Sequence, residues 1–526
     1  MKGKVWICIL MCSSVRFAQS QQVFDAIEIG KFQPVGTARI LAMGGNSNAL
    51  GGDLSALYHN PAGLAQYRTN EMLISPGLFL QASTMRYNEY DFEDKRSRMN
   101  VGASGFVFSM YNPQKGKIKR TNIAIALGQT GNFNREFHYN GINKNSSFSE
   151  KWVEELINNN IRNFSDALVF SPAGASLAVE NYLVDSILLN NDIVGYKTNA
   201  NIEKMNLNQS FSYRTSGSAN ELSLGLASHN TEKLYYGLTL GIPFLRRTES
   251  STITEKDISN DTDNDFDAFT YTEQITTKGA GILFRGGILY KPFEYFRIGF
   301  NFQSPSFYTL TRSADAQLET SVENYAKQIH NNDTKPEQFT ASTRDVNNGE
   351  LYTYDYNLIT PWQMSLAIAY IFRETDNVKK QRAMITAAVD FVNHRAIRYT
   401  ASNTENNPMT SAFYSGLNKD IKALYRPAFN FSIGGELKFH TLMFRGGFRY
   451  QQSPFEKNAL PEVKGHQIIP SLGIGYRDKG VFADLTYSHT ISDGIHFPYI
   501  LSGNVYPFAT SRNATGQILM TIGCKF

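Results

Sequence analysis

Alternation of apolar and polar residues with a period of two is the feature that most restricts the fold of this 526-residue chain. At the C-terminus, Ile518, Met520 and Ile522 fall on one face, and Thr521 and Gly523 fall on the other. Successive side chains of a strand point to opposite faces, so the pattern predicts a strand with one apolar face. About fourteen segments show it, near 71–86, 99–111, 121–138, 211–228, 233–251, 268–290, 295–313, 352–372, 382–400, 425–440, 441–452, 466–477, 480–491 and 515–526.

The composition favours strands that face lipid over soluble domains. Charged residues make up 19% of the chain, below the roughly 25% of soluble domains, and there are 36 Phe and 28 Tyr. The mean hydropathy of −0.32 argues against membrane helices, whereas the alternating strands of a membrane barrel average to a polar value. The near-balanced charge of +4 gives no basic field, so no nucleic-acid partner is expected.

The predicted connections alternate between short and long, which is typical of outer-membrane barrels. We therefore predict an all-β fold, a 14-stranded antiparallel transmembrane β-barrel at 69–526 in the outer membrane of a Gram-negative bacterium, with both termini periplasmic. A soluble β-sandwich is the alternative fold. The long connections are predicted at 87–98, 139–210, 252–267, 314–351, 401–424, 453–465 and 492–514.

The first 20 residues are typical of a signal peptide. Lys2 and Lys4 precede an apolar stretch, and Ala18-Gln19-Ser20 fits a cleavage site. Cleavage there would leave Cys524 as the remaining cysteine, so no disulfide within one chain is expected.

The long connection 139–210 is predicted to be an extracellular, partly helical insertion. Trp152, Leu156 and Ile161 recur at helical spacing, and 167–189 is apolar enough for a second helix. We expect this insertion to pack as a cap over the barrel mouth. The connections 252–267 and 314–351 are polar and acidic, and solvated loops are expected there.

Residues 21–68 are predicted to form an N-terminal extension and a plug. The part at 35–65 is rich in small residues, and its paired glycines allow close approach of backbone to backbone. A barrel of about fourteen strands is too wide for side chains alone to fill, so this segment could fold inside it.

Three elements of this segment closely resemble the N-terminal hatch of the FadL family of outer-membrane transporters, also called the OmpP1/FadL/TodX family. They are Ala42-Met43-Gly44-Gly45, Gly51-Gly52-Asp53-Leu54-Ser55-Ala56 and Asn60-Pro61-Ala62-Gly63-Leu64, and the second is similar to members from Bacteroidota. The resemblance implies that the hatch residues are Gly44, Gly45, Gly51, Gly52, Asp53, Asn60, Pro61, Ala62 and Gly63.

The resemblance also implies a function. Members of the family are channels for hydrophobic molecules such as long-chain fatty acids, which outer loops capture and which leave sideways past the hatch, beside a kinked third strand. The kink candidates in this sequence are Gly128, Gly131 and Phe133, because glycine weakens ladder pairing and permits a bend. The family pattern implies contact between the Asn60-Pro61-Ala62 element and this bend. The aromatic C-terminus, Phe526, is similar to the signal that the barrel-assembly machinery recognises.

Cations on the polar faces of the strands are candidates for binding a ligand carboxylate. A tight turn at 440–441 sets Glu436 opposite Arg445 and Ser432 opposite Arg449. This register predicts a Glu436–Arg445 ion pair in a hydrated lumen and leaves Arg449 as the freer cation. The alternative is an internal ion-pair network. The full set of candidates is Arg297, Lys438, Arg445 and Arg449.

Three functions follow from these features. The first is passive uptake of hydrophobic compounds, with fatty acids, outer-membrane lipid and lipopolysaccharide as partners. The second is a binding or shuttle role in protein secretion, as in one branch of the family in Bacteroidota, and the third is an outer-membrane lipase. No motif surrounds the scattered histidines, so we expect no catalytic residue, no cofactor and no metal site.

Overall fold

The computed structural model describes residues 20–526 except 32, 113–118, 203–205, 260, 262–263, 324–337, 373–381, 403–407, 458, 461–463 and 503–506. The predicted signal peptide, apart from Ser20, lies outside the described residues. Fourteen barrel strands form a closed antiparallel sheet, as predicted. Several of them are interrupted, so that two segments follow one another along one barrel strand.

The strands, in chain order, are β1 (Glu71–Ile74), β2 (Pro76–Tyr87), β3 (Tyr90–Val101), β4 (Ser104–Asn112), β5 (Lys119–Asn132), β6 (Arg135–Asn143), β7 (Val184–Leu189), β8 (Asp192–Thr198), β9 (Leu207–Thr231), β10 (Leu234–Asp257), β11 (Ala268–Phe293), β12 (Phe296–Gln303), β13 (Phe307–Ser321), β14 (Gln338–Ser342), β15 (Tyr352–Ile359), β16 (Gln363–Phe372), β17 (Ala383–Asn393), β18 (Arg398–Ala401), β19 (Pro427–Phe439), β20 (Leu442–Gln451), β21 (Gln467–Asp478), β22 (Val481–His496) and β23 (Ala509–Lys525). The interrupted barrel strands are β1–β2, β3–β4, β5–β6, β12–β13, β15–β16 and β17–β18.

The helices are α1 (Ser20–Gly30), α2 (Ala38–Leu41), α3 (Glu150–Asn158), α4 (Phe164–Phe170), α5 (Ala175–Glu180), α6 (Thr343–Val346) and α7 (Pro408–Leu424), with 3₁₀ helices at Leu54–Leu57, Pro61–Gln66 and His394–Ala396. Among the described residues, no helix combines the length and the apolar character needed to cross a membrane.

The last strand closes the barrel by pairing with the first. Strand β23 pairs with β1 and β2, for example Glu71 with Lys525 and Gly77 with Leu519. Apart from the tight turn between β2 and β3, the short connections lie at one end of the barrel, which we call the turn end. The long connections, and that turn, lie at the other end, the loop end.

The outer surface of the barrel is apolar. In β16, Met364, Leu366 and Ile368 are exposed, whereas the alternating Ser365 and Ala367 are buried. An apolar face that points away from the centre of a closed barrel is the face that contacts lipid.

The hairpin of β19 and β20 confirms the predicted register. Glu436 pairs with Arg445 and Ser432 with Arg449, about a turn in which His440 has a positive φ of 55°. Phe431 is exposed on the outer face while Glu436 is buried. The period-two pattern therefore assigned each side chain to the correct side of the wall.

The prediction of a loop at 87–98 was wrong. Strand β3 begins at Tyr90, directly after a tight turn in which Asn88 has a φ of 53°. β3 pairs with β2 from Tyr87 opposite Tyr90 to Pro76 opposite Val101. The period-two pattern did not predict this strand, because the part of the hairpin near the loop end has no apolar outer face and carries charged residues such as Asp94 and Arg96.

Other strands also continue into segments that were predicted to be solvated loops. β10 runs to Asp257 and β13 to Ser321, and β14 pairs with the end of β13. β10 and β11 contain 24 and 26 residues, about twice the roughly 9–11 that cross a bilayer. The sheet therefore extends well beyond the apolar band.

The insertion at 139–210 contains α3, α4, α5 and the hairpin of β7 and β8. The predicted second helix at 167–189 is divided, because α5 ends at Glu180 and a strand begins at Val184. Trp152 and Phe148 pack on Phe269 and Tyr271 of β11 in one buried apolar cluster. The insertion is thus packed on the strands at the loop end.

Candidate functional site

The segment from Pro34 to Tyr67, which we call the N-terminal segment, is buried among strands from all around the barrel. Wall glycines mark the contacts, because at each of them an added Cβ would lie within 3 Å of the segment. These pairs are Gly225 with Leu57, Gly237 with Pro61, Gly287 with Asn60, Gly299 with Asn48, Gly434 with Met43, Gly447 with Gly44, and Gly473 with Ala42. The segment therefore contacts β9, β10, β11, β12, β19, β20 and β21 from within.

The paired glycines of the N-terminal segment allow its turns. Gly44, Gly45, Gly51 and Gly52 have φ values between 65° and 75°, in the left-handed region that side chains with a Cβ rarely adopt. Gly63 packs directly on Gly51, where a Cβ would meet the Gly51 Cα at 2.9 Å.

Asp53 and Asn60 of the hatch motifs cap short helices. The Asp53 carboxylate accepts hydrogen bonds from the Ser55 amide at 3.0 Å, the Ser55 hydroxyl at 2.7 Å and the Thr37 hydroxyl at 3.0 Å. The Asn60 side-chain oxygen accepts from the Ala62 amide at 3.1 Å, and Pro61 follows as the first helical residue. Both positions satisfy amides that a helix start leaves unpaired.

Asn60 also ties the segment to the wall. Its Nδ2 donates to the backbone oxygens of Asn48 at 2.8 Å and Ile288, on β11, at 3.0 Å. Both acceptors are backbone carbonyls, one within the segment and one in the wall.

Other residues of the N-terminal segment contact the third-strand bend, and the expected contact of the Asn60-Pro61-Ala62 element with the bend stays a prediction. Asn60 and Pro61 pack on Gly287 and Gly237, whereas Gly128 packs on Val35 and Tyr58. The Tyr58 hydroxyl donates to the Glu221 carbonyl of β9 at 3.3 Å.

The third barrel strand is irregular at the predicted place. Its register against β9 shifts between Gln129 and Gly131, and the strand is interrupted between β5 and β6, beside Phe133. Phe133 is buried next to Gly131. A bulge followed by an interruption bends a strand and ends its pairing.

The wall lacks a backbone ladder beside this bend. Over the described residues, β3 pairs with β2 and β6 pairs with β9, and no ladder joins β3 to β5 or β6. Side chains bridge the two edges instead: Asp94 of β3 accepts from the His138 amide of β6 at 3.0 Å, and Arg96 of β3 donates to the Arg135 carbonyl of β6 at 3.3 Å. We call the stretch between β3 on one side and β6 with the end of β5 on the other the wall gap.

The N-terminal segment borders the wall gap at the end of the gap that is nearer the turn end of the barrel. The Ala103 amide, at the interruption between β3 and β4, donates to the Gly36 carbonyl at 3.0 Å. Val35 and Gly36 therefore lie beside both edges of the gap.

The predicted ligand cations form ion pairs and hydrogen bonds at the level of the N-terminal segment, Pro34 to Tyr67. We call this level, with the wall side chains around the segment, the floor of the lumen. Arg445 bonds Glu436 and Asp484, each at 2.6 Å, and Arg39 of the N-terminal segment bonds Glu436 at 3.1 Å. The predicted Glu436–Arg445 ion pair is present, but these side chains are nearly inaccessible, so the expectation that the pair lies in a hydrated lumen was wrong. Burial alone would lower the pKa of Arg39, but Glu436, Asp53 and Asp484 outweigh it and raise that pKa above its usual range.

Arg449 is not the freer cation that the register suggested. It bonds Asp390 of β17 at 2.7 Å and is buried. Arg297 donates to the Leu50 carbonyl at 2.8 Å and to Gln66 at 2.9 Å, and Lys438 is half-buried beside Glu436. These cations stabilise the floor.

His59 is a hydrogen-bonded part of the floor. Its Nε2 lies 2.7 Å from the Val35 carbonyl, so this nitrogen carries a proton. Burial lowers the pKa of His59 to about 4, with a further contribution from Arg449, against the opposing effect of the Val35 hydrogen bond.

A cavity of about 1310 Å³ lies above the N-terminal segment. It exceeds the roughly 300–1,000 Å³ of most ligand pockets. Its lining is partly aromatic, with Trp152, Tyr213, Tyr271, Phe455 and Phe497, and it extends to the wall gap at 100–102 and 132–135.

Helix α1 lies in this cavity near the loop end. Asp25 bonds Arg247 at 2.7 Å and Arg312 at 2.8 Å, and the Tyr425 hydroxyl donates to the Val23 carbonyl at 2.9 Å. The first described residues therefore lie near the loop end, whereas the sequence predicted an N-terminus at the periplasmic end. The sequence pattern did not indicate this cluster, since the partners are far apart in the chain.

A closed antiparallel barrel with an apolar exterior and a segment folded across its lumen defines a plugged outer-membrane barrel. The crystal structure of a Pseudomonas aeruginosa FadL homologue matches it with a TM-score of 0.52 at 12% identity, over 94% of this chain and 99% of that one. The Pseudomonas putida toluene transporter TodX matches with a TM-score of 0.49 at 12% identity, again over 94% and 99%. No protein-family model and no curated protein sequence matches the chain.

The chain therefore has the FadL fold. The resemblance drawn from the three hatch elements is confirmed at the level of the fold.

Proposed function

We propose that this protein is an outer-membrane channel for the passive uptake of hydrophobic compounds. The observation that carries the proposal is the cavity that extends from the loops to the wall gap. Water is a poor solvent for apolar molecules, and an exit through the wall delivers them to hydrocarbon without an aqueous step.

The proposed hatch comprises residues 21–68, which include helix α1 and the N-terminal segment. Val35 and Tyr58 pack on Gly128, and the Gly36 carbonyl accepts from Ala103. A small displacement of Val35 and Gly36 would widen the passage from the cavity through the wall gap. The glycine contacts with β10, β11 and β19 would keep the rest of the segment in place.

The proposed ligands are apolar molecules, including long-chain fatty acids. The FadL fold supports this class, and aromatic cavity walls suit an apolar body. We also propose that lipopolysaccharide surrounds the barrel and that Phe526 contacts the barrel-assembly machinery. A floor packed by the N-terminal segment argues against passage of a polypeptide through the lumen.

A reversible disulfide between the hatch and the third-strand bend tests the proposal. A Cβ on Gly128 would lie 2.9 Å from Cγ1 of Val35, so cysteines at both positions suit a disulfide. In a Cys524→Ser background, Val35→Cys with Gly128→Cys should lose uptake of a fluorescent apolar probe when oxidised and regain it on reduction.

The two single-cysteine variants are the matched controls, and their uptake should not respond to reductant. Undiminished uptake by the oxidised double variant, with the disulfide verified by mass spectrometry, would refute passage at this bend. Native mass spectrometry of the purified barrel should also show co-purified apolar molecules, and capture of a polypeptide instead would favour the secretion role.

A further inference from the structure

Two cations lie side by side on the outer surface of the barrel. Arg246 of β10 pairs in the sheet with Lys278 of β11. Both side chains are exposed, whereas the adjacent Arg247 and Thr277 are buried on the lumen side. Residues directly opposite each other on one face of a sheet have Cβ atoms about 4.5–5.5 Å apart, so the two charges lie within reach of one anion.

The pair lies directly beyond the apolar part of the outer face. On β10 the outward residues from Leu234 to Phe244 are apolar or aromatic, and on β11 those from Tyr290 to Ala280 are apolar, aromatic or glycine. At about 3.4 Å per residue and a strand tilt of about 40°, each stretch rises about 26 Å, close to the roughly 25 Å height of a lipid-facing band. The next outward residue towards the loop end is Arg246 on one strand and Lys278 on the other. The pair therefore lies at the level of lipid headgroups.

The immediate neighbours of the two cations on the outer face are uncharged. They are Phe244, Thr248, Ala280 and Thr276 along the strands, and Ser218 of β9 and Thr311 of β13 across them. Asp355 lies one strand further along this row, where its carboxylate accepts from the Thr311 hydroxyl at 2.6 Å. Like charges directly opposite each other destabilise a pair of strands, and an anion bound between them removes this repulsion.

A phosphate group suits this position. A phosphate monoester carries a charge of about −1.5 to −2 at pH 7 and has three strong acceptor oxygens. The guanidinium of Arg246 can bind two of these oxygens, and the ammonium of Lys278 supplies a point charge. The hydroxyls of Thr248 and Thr276, which lie 3.3 Å apart on the loop-end side of the pair, are further donors. The acyl chains of a lipid held here would lie on the exposed ring of Phe244 and the apolar face beyond it.

We propose that Arg246 and Lys278 bind the phosphate group of a lipid in the outer leaflet, such as the lipid A part of lipopolysaccharide. The proposal rests on the outer-membrane placement in the proposed function, with the loop end facing outward, and not on the uptake of apolar compounds. The site lies on the lipid side of the wall, whereas the cavity lies on the lumen side. The two proposals can therefore fail separately.

The test titrates the full chain, in a non-ionic detergent without phosphate, with lipid A and with the same lipid A after enzymatic removal of its phosphates. Native mass spectrometry measures the bound lipid. The wild type should bind the phosphorylated form about tenfold more tightly than the dephosphorylated form. Arg246→Gln combined with Lys278→Gln should lose this preference and bind both forms with the same low affinity.

The matched control is Lys256→Gln combined with Arg344→Gln. It removes two positive charges from exposed positions of the part of the sheet that projects beyond the apolar band. This variant should keep the preference for phosphorylated lipid A within about twofold of wild type. A heat-dependent shift in gel mobility verifies that each variant is a folded barrel.

Equal binding of the two lipid A forms by the wild type overturns the inference, as does an unchanged preference in the folded Arg246→Gln, Lys278→Gln variant. Equal loss in the control variant overturns it as well, since a general charge effect would then be the cause. Inorganic phosphate should displace lipid A only in large molar excess, and displacement at equal concentration would show a site for free phosphate instead of a lipid. The disulfide test of the bend measures uptake independently of all these results.

Discussion

At the residue scale, the floor of the lumen is stabilised by buried arginine and carboxylate side chains that form ion pairs with one another. Arg445 lies between Glu436 and Asp484, and Arg39 brings a second guanidinium to Glu436. A buried ion network of this kind fixes geometry, because removing one member leaves its partners buried without compensation.

Arg445→Met should therefore lower the free energy of unfolding by about 3–5 kcal/mol. The control is Arg344→Ala, which removes an exposed pair with Asp315 at 3.5 Å and should cost about 0–1 kcal/mol. Urea unfolding in detergent, followed by gel mobility, measures both. Equal costs for the two variants would mean that the network contributes no more than a surface pair.

His59 makes stability depend on pH. The pKa of His59 is about 4 in the folded protein and about 6.5 when unfolded, so the unfolded chain binds more protons between these values. The contribution of His59 to stability is complete above about pH 6.5 and decreases as the pH falls towards 4.

His59→Gln retains a donor for Val35 and should flatten the pH dependence of the unfolding midpoint in this window. His440→Asn, at an exposed turn, should leave the slope as in wild type. A slope unaffected by His59→Gln would show that other groups cause the pH dependence.

At the element scale, wall glycines decide whether the N-terminal segment fits. A Cβ on Gly299 would clash with the backbone of Asn48, whereas a Cβ on Gly286 would meet only Leu238 at 3.6 Å. We expect Gly299→Ala to expose the N-terminal segment to added protease and Gly286→Ala to protect it like wild type. Equal protection in both variants would mean that the segment tolerates displacement from β12.

Asn60 has a different role, since it joins two elements by hydrogen bonds. Asn60→Ala leaves the Asn48 and Ile288 carbonyls without this donor, at a cost of about 1–3 kcal/mol. Uptake of an apolar probe should fall more than the amount of folded barrel. Equal loss of both would count against a gating role for this residue.

The elements that the sequence predicted correctly are those whose outer faces contact lipid. In β19 and β20 one face is apolar without interruption, so register, turn and orientation follow from the pattern. Strand β3 was missed because no apolar face marks a hairpin that projects into water.

The partners of the cations could not be predicted from the pattern. The register places Arg449 opposite Ser432, but Asp390 reaches it from β17, the strand on the other side of β19. Contacts of Asp25 with β10 and β13 likewise depend on the closed barrel and on the path of α1 within it. One available signal was overlooked, namely the inward-facing glycines opposite the N-terminal segment.

At the scale of the whole molecule, the barrel combines a large cavity with a closed floor. The floor is packed with buried residues such as Leu54, Met43 and Ile40, and we expect this packing to block the passage of ions. In planar bilayers the reconstituted protein should carry no steady ion current while it still transfers an apolar probe. A steady current of the size of an open porin would contradict the closed floor.

The contacts between the N-terminal segment and the last strands have a consequence for folding order. The Ala38 amide donates to the Thr521 hydroxyl across 483 positions of the chain, and Arg39 reaches Glu436 across 397. Contacts between residues so distant in sequence form slowly, because the intervening chain must first be ordered. The segment is synthesised first, yet its final binding surface does not exist until the C-terminal strands have paired. We therefore expect the segment to reach its final position late, together with the pairing of the C-terminal strands, and a chain that closes without its segment inside would be trapped in the wrong topology.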